Sequence, residues 1–235
     1  MKNLMLGDCL DLMDSIPDGS IDMVCCDMPY GTTNCRWDTT LDLQRLWKQY
    51  KRVTKDNAAI VLFAQLPFDK VLGCSNLPWL RYELIWEKTN PTGYLNAKKM
   101  PMKAHENILV FYNKLPTYNP QKTSGHVRKT AVKKPNASPI YNDHGASEYD
   151  STERYPRSVL TFPSDKQRLA LHPTQKPLAL IEWLIATYTN EGETVLDNCM
   201  GSGTTGAACQ NLGREFVGIE LDETYYRIAA DRVAA

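Results

Sequence analysis

The sequence predicts an α/β protein in which helices cover both faces of a mostly parallel sheet. Short apolar runs of strand length alternate along the chain with longer segments whose apolar residues recur at helical spacing. Several of these runs end at a turn rich in Gly, Pro or Asp, as buried strands do. The 235 residues are enough for one sizeable core and a small appended module.

The elements are predicted in chain order. Strands are expected at 21–27, 58–64, 82–86, 107–112, 194–197 and 215–221, and helices at 41–53, 178–188, 202–212 and 223–233. The segment 113–169 has no sustained period and is rich in Pro, Tyr, Ser, Asn and basic residues, so we expect a loop-rich insertion. One domain is therefore predicted from residues 1–112 and 170–235, interrupted by 113–169.

Composition excludes several classes of protein. No apolar run approaches the length of a membrane span, and the first residues lack the pattern of a signal peptide, so a cytoplasmic protein without membrane association is predicted. The seven cysteines form no C-x-x-C pair and no zinc-binding spacing with histidine. This pattern predicts free thiols in a reducing compartment and no metal site.

Charge is unevenly distributed although the net charge is zero. Residues 113–169 carry ten Lys or Arg against five Asp or Glu, whereas residues 170–235 carry four against nine. A basic segment in a neutral chain is the usual footprint of contacts to phosphates. A solvated polar insertion explains the charge equally well, so both interpretations stay open.

A strand, a glycine turn and a helix follow one another after position 193. Asp197 ends the strand, Gly201 and Gly203 lie in the turn, and the helix opens near Ser202. Glycine lets a ligand approach the backbone closely, and a helix N-terminus presents unpaired N–H groups. Glu220 ends the next strand, where nucleotide-binding α/β proteins hold ribose hydroxyls. The pattern also fits a nicotinamide cofactor.

A second constellation, Asp27-Met28-Pro29-Tyr30, follows a predicted buried strand. The exocyclic amine of adenine or cytosine is a poor nucleophile because its lone pair is delocalised into the ring. The Asp27 carboxylate and the Pro29 carbonyl can each accept one N–H, which draws the nitrogen towards tetrahedral geometry. Tyr30 can stack on a base extruded from the duplex. Taken alone, the tetrapeptide also fits a plain turn with a surface tyrosine.

Three motifs together resemble a known family. Asp27-Met-Pro-Tyr30, His172-Pro-Thr-Gln-Lys-Pro177 and Asp197-Asn-Cys-Met-Gly-Ser-Gly-Thr204 look like those of amino-group DNA methyltransferases of the β arrangement, in particular small orphan enzymes of bacteriophages and prophages. The resemblance covers nearly the whole chain outside 113–169. It implies a single Rossmann-like methyltransferase domain with a seven-stranded, mostly parallel sheet, S-adenosylmethionine as cofactor and double-stranded DNA as substrate.

The resemblance also assigns roles by position. The catalytic residues are Asp27, Pro29 and Tyr30. The cofactor-binding residues are Asp8, near the cofactor's adenine, Thr174 and Lys176, near its methionine part, Asp197, Gly201, Ser202, Gly203 and Thr204 in the loop, and Glu220 at the ribose. Two positions depart from the family pattern: Met28 replaces the usual Pro, and Asn198-Cys199 replaces the usual Pro-Phe, which changes the packing expected around the cofactor.

The expected reaction is methylation of adenine N6, because Asp rather than Ser at position 27 resembles the adenine-modifying members. Methylation of cytosine N4 or of RNA on the same fold stays open. A catalytically silent DNA-binding protein is the alternative of another class, and the intact motif around Asp27 argues against it. A nicotinamide dehydrogenase is a further alternative, but none of the four histidines of this chain suggests the His–Asp relay that hydride transfer would use.

Recognition of DNA is expected in 113–169, with help from residues 31–38. The basic residues expected to bind DNA are Lys98, Lys99, Lys103, Arg128, Lys129, Lys133 and Lys134. Family members often form dimers, and so small a recognition module is consistent with a homodimer.

Overall fold

A computed structural model describes residues 2–31, 40–135, 145–164 and 175–234 of the chain. Its strands are β1 (Lys2–Leu6), β2 (Ile21–Cys26), β3 (Thr54–Ala64), β4 (Leu80–Thr92), β5 (Lys103–Phe111), β6 (Lys129–Lys133), β7 (Ser147–Ser151), β8 (Val159–Phe162), β9 (Thr194–Asp197) and β10 (Glu215–Glu220). Its α-helices are α1 (Cys9–Leu12), α2 (Leu43–Val53), α3 (Phe68–Ser75), α4 (Leu178–Tyr188), α5 (Thr204–Leu212) and α6 (Glu223–Ala234).

The main sheet has eight strands within the described ranges, in the order β1-β10-β9-β2-β3-β5-β4-β8. Only β5 runs against its neighbours, pairing antiparallel with β3 and β4, whereas the other pairings of this sheet are parallel. The predicted α/β fold with a mostly parallel sheet is confirmed. The sheet has one strand more than the seven expected, because β8 comes from the predicted insertion and pairs with the edge strand β4.

Helices cover both faces of the sheet, as predicted. Side chains alternate between the faces along a strand, so Met23 and Cys25 of β2 join one core, and Val24 and Cys26 join the other. Helices α4, α5 and α6 pack on the first face, and α1, α2 and α3 pack on the second. None of the helices in the described ranges is both long and apolar enough to cross a membrane.

Several short elements are absent from the sequence prediction. Helix α1 is a single turn whose N-cap, Asp8, accepts a hydrogen bond from the Leu10 N–H at 2.8 Å. Strands β6 and β7 are exposed along almost their whole length, so they have no buried face to produce an apolar alternation. Helix α2 begins two residues later than predicted, because the Asp42 side chain caps it by accepting from the N–H groups of Gln44 and Arg45.

Residues 120–157 form a compact unit of their own, and residues 1–119 and 158–235 form the other unit. The smaller unit contains β6 and β7, paired antiparallel, and Arg154, whose guanidinium donates to the carbonyls of Val127 at 2.5 Å and Ser151 at 3.1 Å. Its bounds are narrower than the predicted insertion, since residues 113–119 and 158–164 belong to the larger unit.

Close packing of helix against helix fixes the start of α5. Gly203 precedes α5 with a φ of +76°, in the left-handed region that favours glycine. A Cβ added to Gly203 would lie 2.9 Å from the Cβ and 3.0 Å from the Cα of Ala229 on α6. Any larger residue at this position must therefore push α5 and α6 apart.

We expect Gly203→Ala to lower the free energy of unfolding by about 2–4 kcal/mol, because a left-handed backbone and an overpacked contact add their penalties. Urea denaturation measures this loss. Gly145→Ala is the matched control, since its Cβ would meet nothing within 4 Å and its φ is outside the left-handed region. Equal stability of the two variants would contradict the packing argument.

Candidate active site

Acidic residues stand at the carboxyl ends of four neighbouring parallel strands. Strand β10 ends at Glu220 and β9 at Asp197, Asp27 directly follows β2, and Asp8 follows β1 after Gly7. Parallel strands bring these ends to one edge of the sheet, where α/β proteins bind their ligands. All four acidic residues line one cavity of about 700 Å³ at this edge.

The cavity brings together most of the predicted cofactor residues. Those that line it are Asp8, Lys176, Asp197, Gly201, Ser202, Thr204 and Glu220. Gly203 is not among the lining residues, because it faces Ala229 on α6 and serves the packing of the two helices. Thr174 lies outside the described residues.

Asp197 shapes the turn between β9 and α5. Its carboxylate accepts the Cys199 N–H at 3.1 Å and the Thr205 hydroxyl at 2.6 Å. Burial raises the pKa of Asp197 to about 7, although these two donors favour its charged form. The side chain predicted to contact the cofactor therefore holds the loop conformation as well.

Glu220 joins this turn to the end of β10. Its carboxylate accepts the Gly201 N–H at 2.8 Å on one oxygen and the Asp222 N–H at 2.9 Å on the other. Burial raises the pKa of Glu220 against the effect of these N–H groups. Each carboxylate oxygen has two lone pairs, so Glu220 can still accept hydrogen bonds from hydroxyl groups in the cavity.

The buried side-chain amide of Gln175 indicates whether the residues lining the cavity fit S-adenosylmethionine. The Gln175 Oε1 atom is buried and has no hydrogen-bond donor among the described residues, and Gln175 lines the cavity. A buried acceptor left without a donor costs about 1–3 kcal/mol, which a ligand ammonium or hydroxyl group removes. With the acceptors of Glu220 and Asp8, the cavity matches the amine and hydroxyl donors of this cofactor.

Asp27 sits in the same cavity with both carboxylate oxygens engaged. Oδ1 accepts a hydrogen bond from the Tyr30 hydroxyl, and Oδ2 accepts one from the Lys176 ammonium. Burial raises the pKa of Tyr30, and the nearby carboxylates of Asp27 and Glu106 raise it further. The Tyr30 hydroxyl therefore stays protonated and donates its hydrogen bond. The Tyr30 ring stacks on Phe68, with centroids 5.4 Å apart.

Lys176, predicted to contact the cofactor, lies between two carboxylates. Its ammonium contacts Asp27 and lies 3.3 Å from Oε2 of Glu106. It also lies 5.2 Å from the centroid of the Phe63 ring. Burial alone would lower the pKa of Lys176, but Asp27 and Glu106 outweigh it and raise that pKa.

Two residues of this cluster are missing from the sequence prediction. Glu106 lies on β5 and Lys88 on β4, and their charged groups are 2.5 Å apart with little solvent exposure. Burial would raise the pKa of Glu106, but Lys176 and Lys88 hold it below its ordinary value. The sequence shows Glu106 directly before the apolar run 107–112 and Lys88 two residues after the run 82–86. The antiparallel pairing that brings the two charges together has no local sequence pattern.

Three candidate DNA-binding lysines belong to the larger unit. Lys98 and Lys99 are exposed and follow a short 3₁₀ helix, Tyr94–Asn96. Lys103 begins β5, lines the cavity and donates to the Gln65 side chain at 2.8 Å. Lys103 thus lies at the candidate active site, whereas a residue that contacts only phosphates would be expected outside it.

The other four candidates belong to the smaller unit. Lys129 and Lys133 are exposed and lie on the same face of β6, because four residues separate them along a strand. Lys134, also exposed, follows the strand. The Arg128 guanidinium is already paired with Asp150, through Nε at 2.7 Å and Nη2 at 2.5 Å.

Solved structures share the fold of this chain. The structure of M1.HpyAVI in complex with SAM matches with a TM-score of 0.69 and 24% identity, over 100% of both chains. The PvuII DNA methyltransferase, which is cytosine-N4-specific, matches with a TM-score of 0.69 and 17% identity, over 97% of this chain and 85% of that one. These likenesses show a common fold.

Sequence relatives identify the family. The type II methyltransferase M.HinfI of Haemophilus influenzae is 27% identical over 271 residues, which cover 99% of this chain and 68% of the relative. The family model N6_N4_Mtase, described as DNA methylase, matches residues 21–231. This match spans most of the chain and confirms the resemblance to amino-group DNA methyltransferases, whereas the likeness to small phage and prophage enzymes stays a prediction. The chain belongs to the N6_N4_Mtase family of DNA methylases, which use S-adenosylmethionine as methyl donor.

Proposed function

We propose that this protein transfers a methyl group from S-adenosylmethionine to N6 of adenine in double-stranded DNA. The observation that carries the proposal is the position of Asp27, Pro29 and Tyr30 in one cavity with the candidate cofactor residues. An aspartate rather than a serine at position 27 supports adenine as the target. Cytosine N4, the target named for the PvuII relative, is the alternative that product analysis separates.

The chemistry follows from the acceptors around the target amine. Each oxygen of Asp27 already accepts one hydrogen bond, which leaves a second lone pair on each for an amine N–H. The Pro29 carbonyl supplies the other acceptor. As the nitrogen acquires positive charge in the transition state, the fixed carboxylate stabilises that charge.

Cofactor binding falls to the residues along the carboxyl ends of β1, β9 and β10. Bound S-adenosylmethionine supplies an electrophilic methyl group attached to a positively charged sulfur. Glu220 and Asp8 offer carboxylate oxygens to its hydroxyl and amino groups, and Gln175 offers an unsatisfied amide oxygen. Ser202, in the loop, and Thr204, the first residue of α5, line the same cavity.

The target base must leave the duplex to reach Asp27, because the reacting amine cannot enter the cavity while the base is stacked between its neighbours. We assign target recognition to 113–169, catalysis to 1–112 and cofactor binding to 170–235. Phosphate contacts are assigned to the exposed lysines of both units. A homodimer and a cytoplasmic location stay predictions of this assignment.

Glu220→Ala should weaken binding of S-adenosylmethionine by about tenfold to a hundredfold, since it removes hydrogen bonds to a charged acceptor. Titration calorimetry measures the change. Glu223→Ala is the control, because Glu223 is exposed, does not line the cavity and pairs with Arg227 one turn away on α6. Thermal denaturation checks that loss of the Gly201 contact leaves the protein folded. An unchanged affinity in folded Glu220→Ala protein would refute this cofactor site.

Asp27→Asn should bind S-adenosylmethionine and DNA like the parent enzyme but transfer the methyl group at least about 100-fold more slowly, because the charge opposite the reacting nitrogen is lost. Single-turnover assays with labelled cofactor give the rate, and mass spectrometry of digested DNA identifies the product. Detection of N6-methyladenine would support the full proposal. Detection of N4-methylcytosine would show that cytosine is the target and would leave the proposed mechanism unchanged. Methylation at the parent rate would exclude Asp27 from the chemistry.

Replacing Lys129 and Lys133 together by Ala should flatten the salt dependence of DNA binding, with a slope of log K against log salt smaller by up to about 1.8. Fluorescence anisotropy at several salt concentrations measures the slope. The matched control replaces Lys55 and Lys114, which pair with Asp22 and Asp56 at the sheet edge opposite the cavity. A slope equal to that of the control would place the phosphate contacts elsewhere.

A further inference from the structure

Four charged side chains of alternating sign follow one another along the wall of the cavity. Lys88 lies 2.5 Å from Oε1 of Glu106, Oε2 of Glu106 lies 3.3 Å from the Lys176 ammonium, and that ammonium contacts Oδ2 of Asp27. All four residues line the cavity. The side chains of Lys88, Glu106 and Lys176 are 8%, 12% and 9% exposed, and that of Asp27 is 24% exposed.

Such burial requires that each charge be compensated by its neighbours, because water screens them little. The two ammonium groups balance the two carboxylates, and Lys176 serves both carboxylates with one ammonium. Without Lys176, Asp27 and Glu106 would be two like charges in one cavity. The raised pKa of Lys176 and the lowered pKa of Glu106 agree with both groups being charged at neutral pH.

The ammonium is shared unequally between the two carboxylates. Its contact with Asp27 is the shorter one, and it donates a hydrogen bond there. Oε2 of Glu106 lies within ion-pair distance of it but accepts no hydrogen bond from any of the residues that the structure describes. Glu106 therefore acts on Lys176 through charge, and Lys88 fixes Glu106 from the other side.

The Asp27 carboxylate must interact with the target amine as well as with the Lys176 ammonium. It must accept an N–H of the target amine, and an ammonium held by Asp27 alone would neutralise much of the charge that the transition state requires. A second carboxylate beside the same ammonium takes up part of the ammonium's positive charge, so that Asp27 keeps more of its own negative charge. Loss of Glu106 would leave Lys176 bound to Asp27 alone.

We propose that Glu106, held by Lys88, is a positioning residue for methyl transfer, which sets through Lys176 how strongly the catalytic carboxylate of Asp27 is neutralised. The inference rests on the proposed function, since it takes Asp27 as the group that contacts the target amine. It also gives Lys176 a place beside the reacting base in addition to its expected contact with the cofactor.

Glu106→Gln keeps the shape of the side chain and removes its charge. We expect the single-turnover rate to fall at least tenfold, while the dissociation constants for S-adenosylmethionine and DNA change less than about threefold. Glu87→Gln is the matched control, because Glu87 lies on the same hairpin, is exposed and is not among the cavity-lining residues; its rate should equal the parent's. A parent-like rate for folded Glu106→Gln overturns the proposal.

Glu106→Asp provides a second variant, because removal of a buried charge can prevent folding. It keeps the charge and withdraws it by one methylene, so its rate should lie between those of the parent and Glu106→Gln. If Glu106→Gln is unfolded and Glu106→Asp reacts at the parent rate, the proposal is likewise wrong.

A double-mutant cycle with Asp27→Asn separates positioning from a purely structural role. If Glu106 acts through Asp27, Glu106→Gln should lower the rate less than about twofold further in the Asp27→Asn background. Full additivity would overturn the inference. The two proposals fail differently: a parent-like rate for Asp27→Asn refutes the proposed chemistry, whereas a slow Asp27→Asn with a parent-like Glu106→Gln refutes only the role of Glu106.

Discussion

Parallel pairing of β1, β10, β9 and β2 is the constraint on which the site depends. Because these strands run in one direction, the residues at their carboxyl ends meet at a single edge. Residues as distant in sequence as Asp8, Asp27 and Glu220 therefore line one cavity. The two cores on either side of the sheet hold the strands in register, so the geometry of the site derives from the packing of both faces.

Strand β5, which runs antiparallel to both of its neighbours in the main sheet, adds charged groups that the parallel strand ends alone do not provide. Strand β5 enters the same edge at its amino end, and its neighbour β4 reaches that edge at its carboxyl end. This pairing brings Glu106 beside Lys88 and places both next to Lys176. The cavity wall near the target amine thus carries balanced charge, whereas the wall formed by β1, β9 and β10 carries acceptors suited to hydroxyl and amino groups.

Sequence reasoning succeeded where the signal is local. Asp27 and Glu220 each lie at the end of an apolar run, and both line the cavity, while their assigned roles stay predictions. It could not separate two uses of glycine: Gly201 lines the cavity, whereas Gly203, two residues later, lies against a helix almost thirty residues away. The role of Glu106 could not be predicted, because its partners Lys88 and Lys176 are far from it in sequence. Contacts between such distant residues leave no periodic pattern in the sequence.

The larger unit holds both of its residues that border the segment 120–157, Asn119 and Ser158, in fixed positions. Asn119 donates through its backbone to Thr187 O at 2.8 Å and through its side chain to Thr189 O at 3.0 Å, which ties the outgoing chain to the end of α4. The returning chain is secured by the Ser158 carbonyl, which accepts the Ile85 N–H at 2.8 Å, and by β8 beside β4. Connections between fixed ends tolerate insertions, deletions and substitutions, so we expect such changes between Asn119 and Ser158 to leave the sheet pairing unchanged. Residues 120–157 are therefore free to diverge among descendants of this protein, while the cavity-lining residues of the larger unit are inherited unchanged.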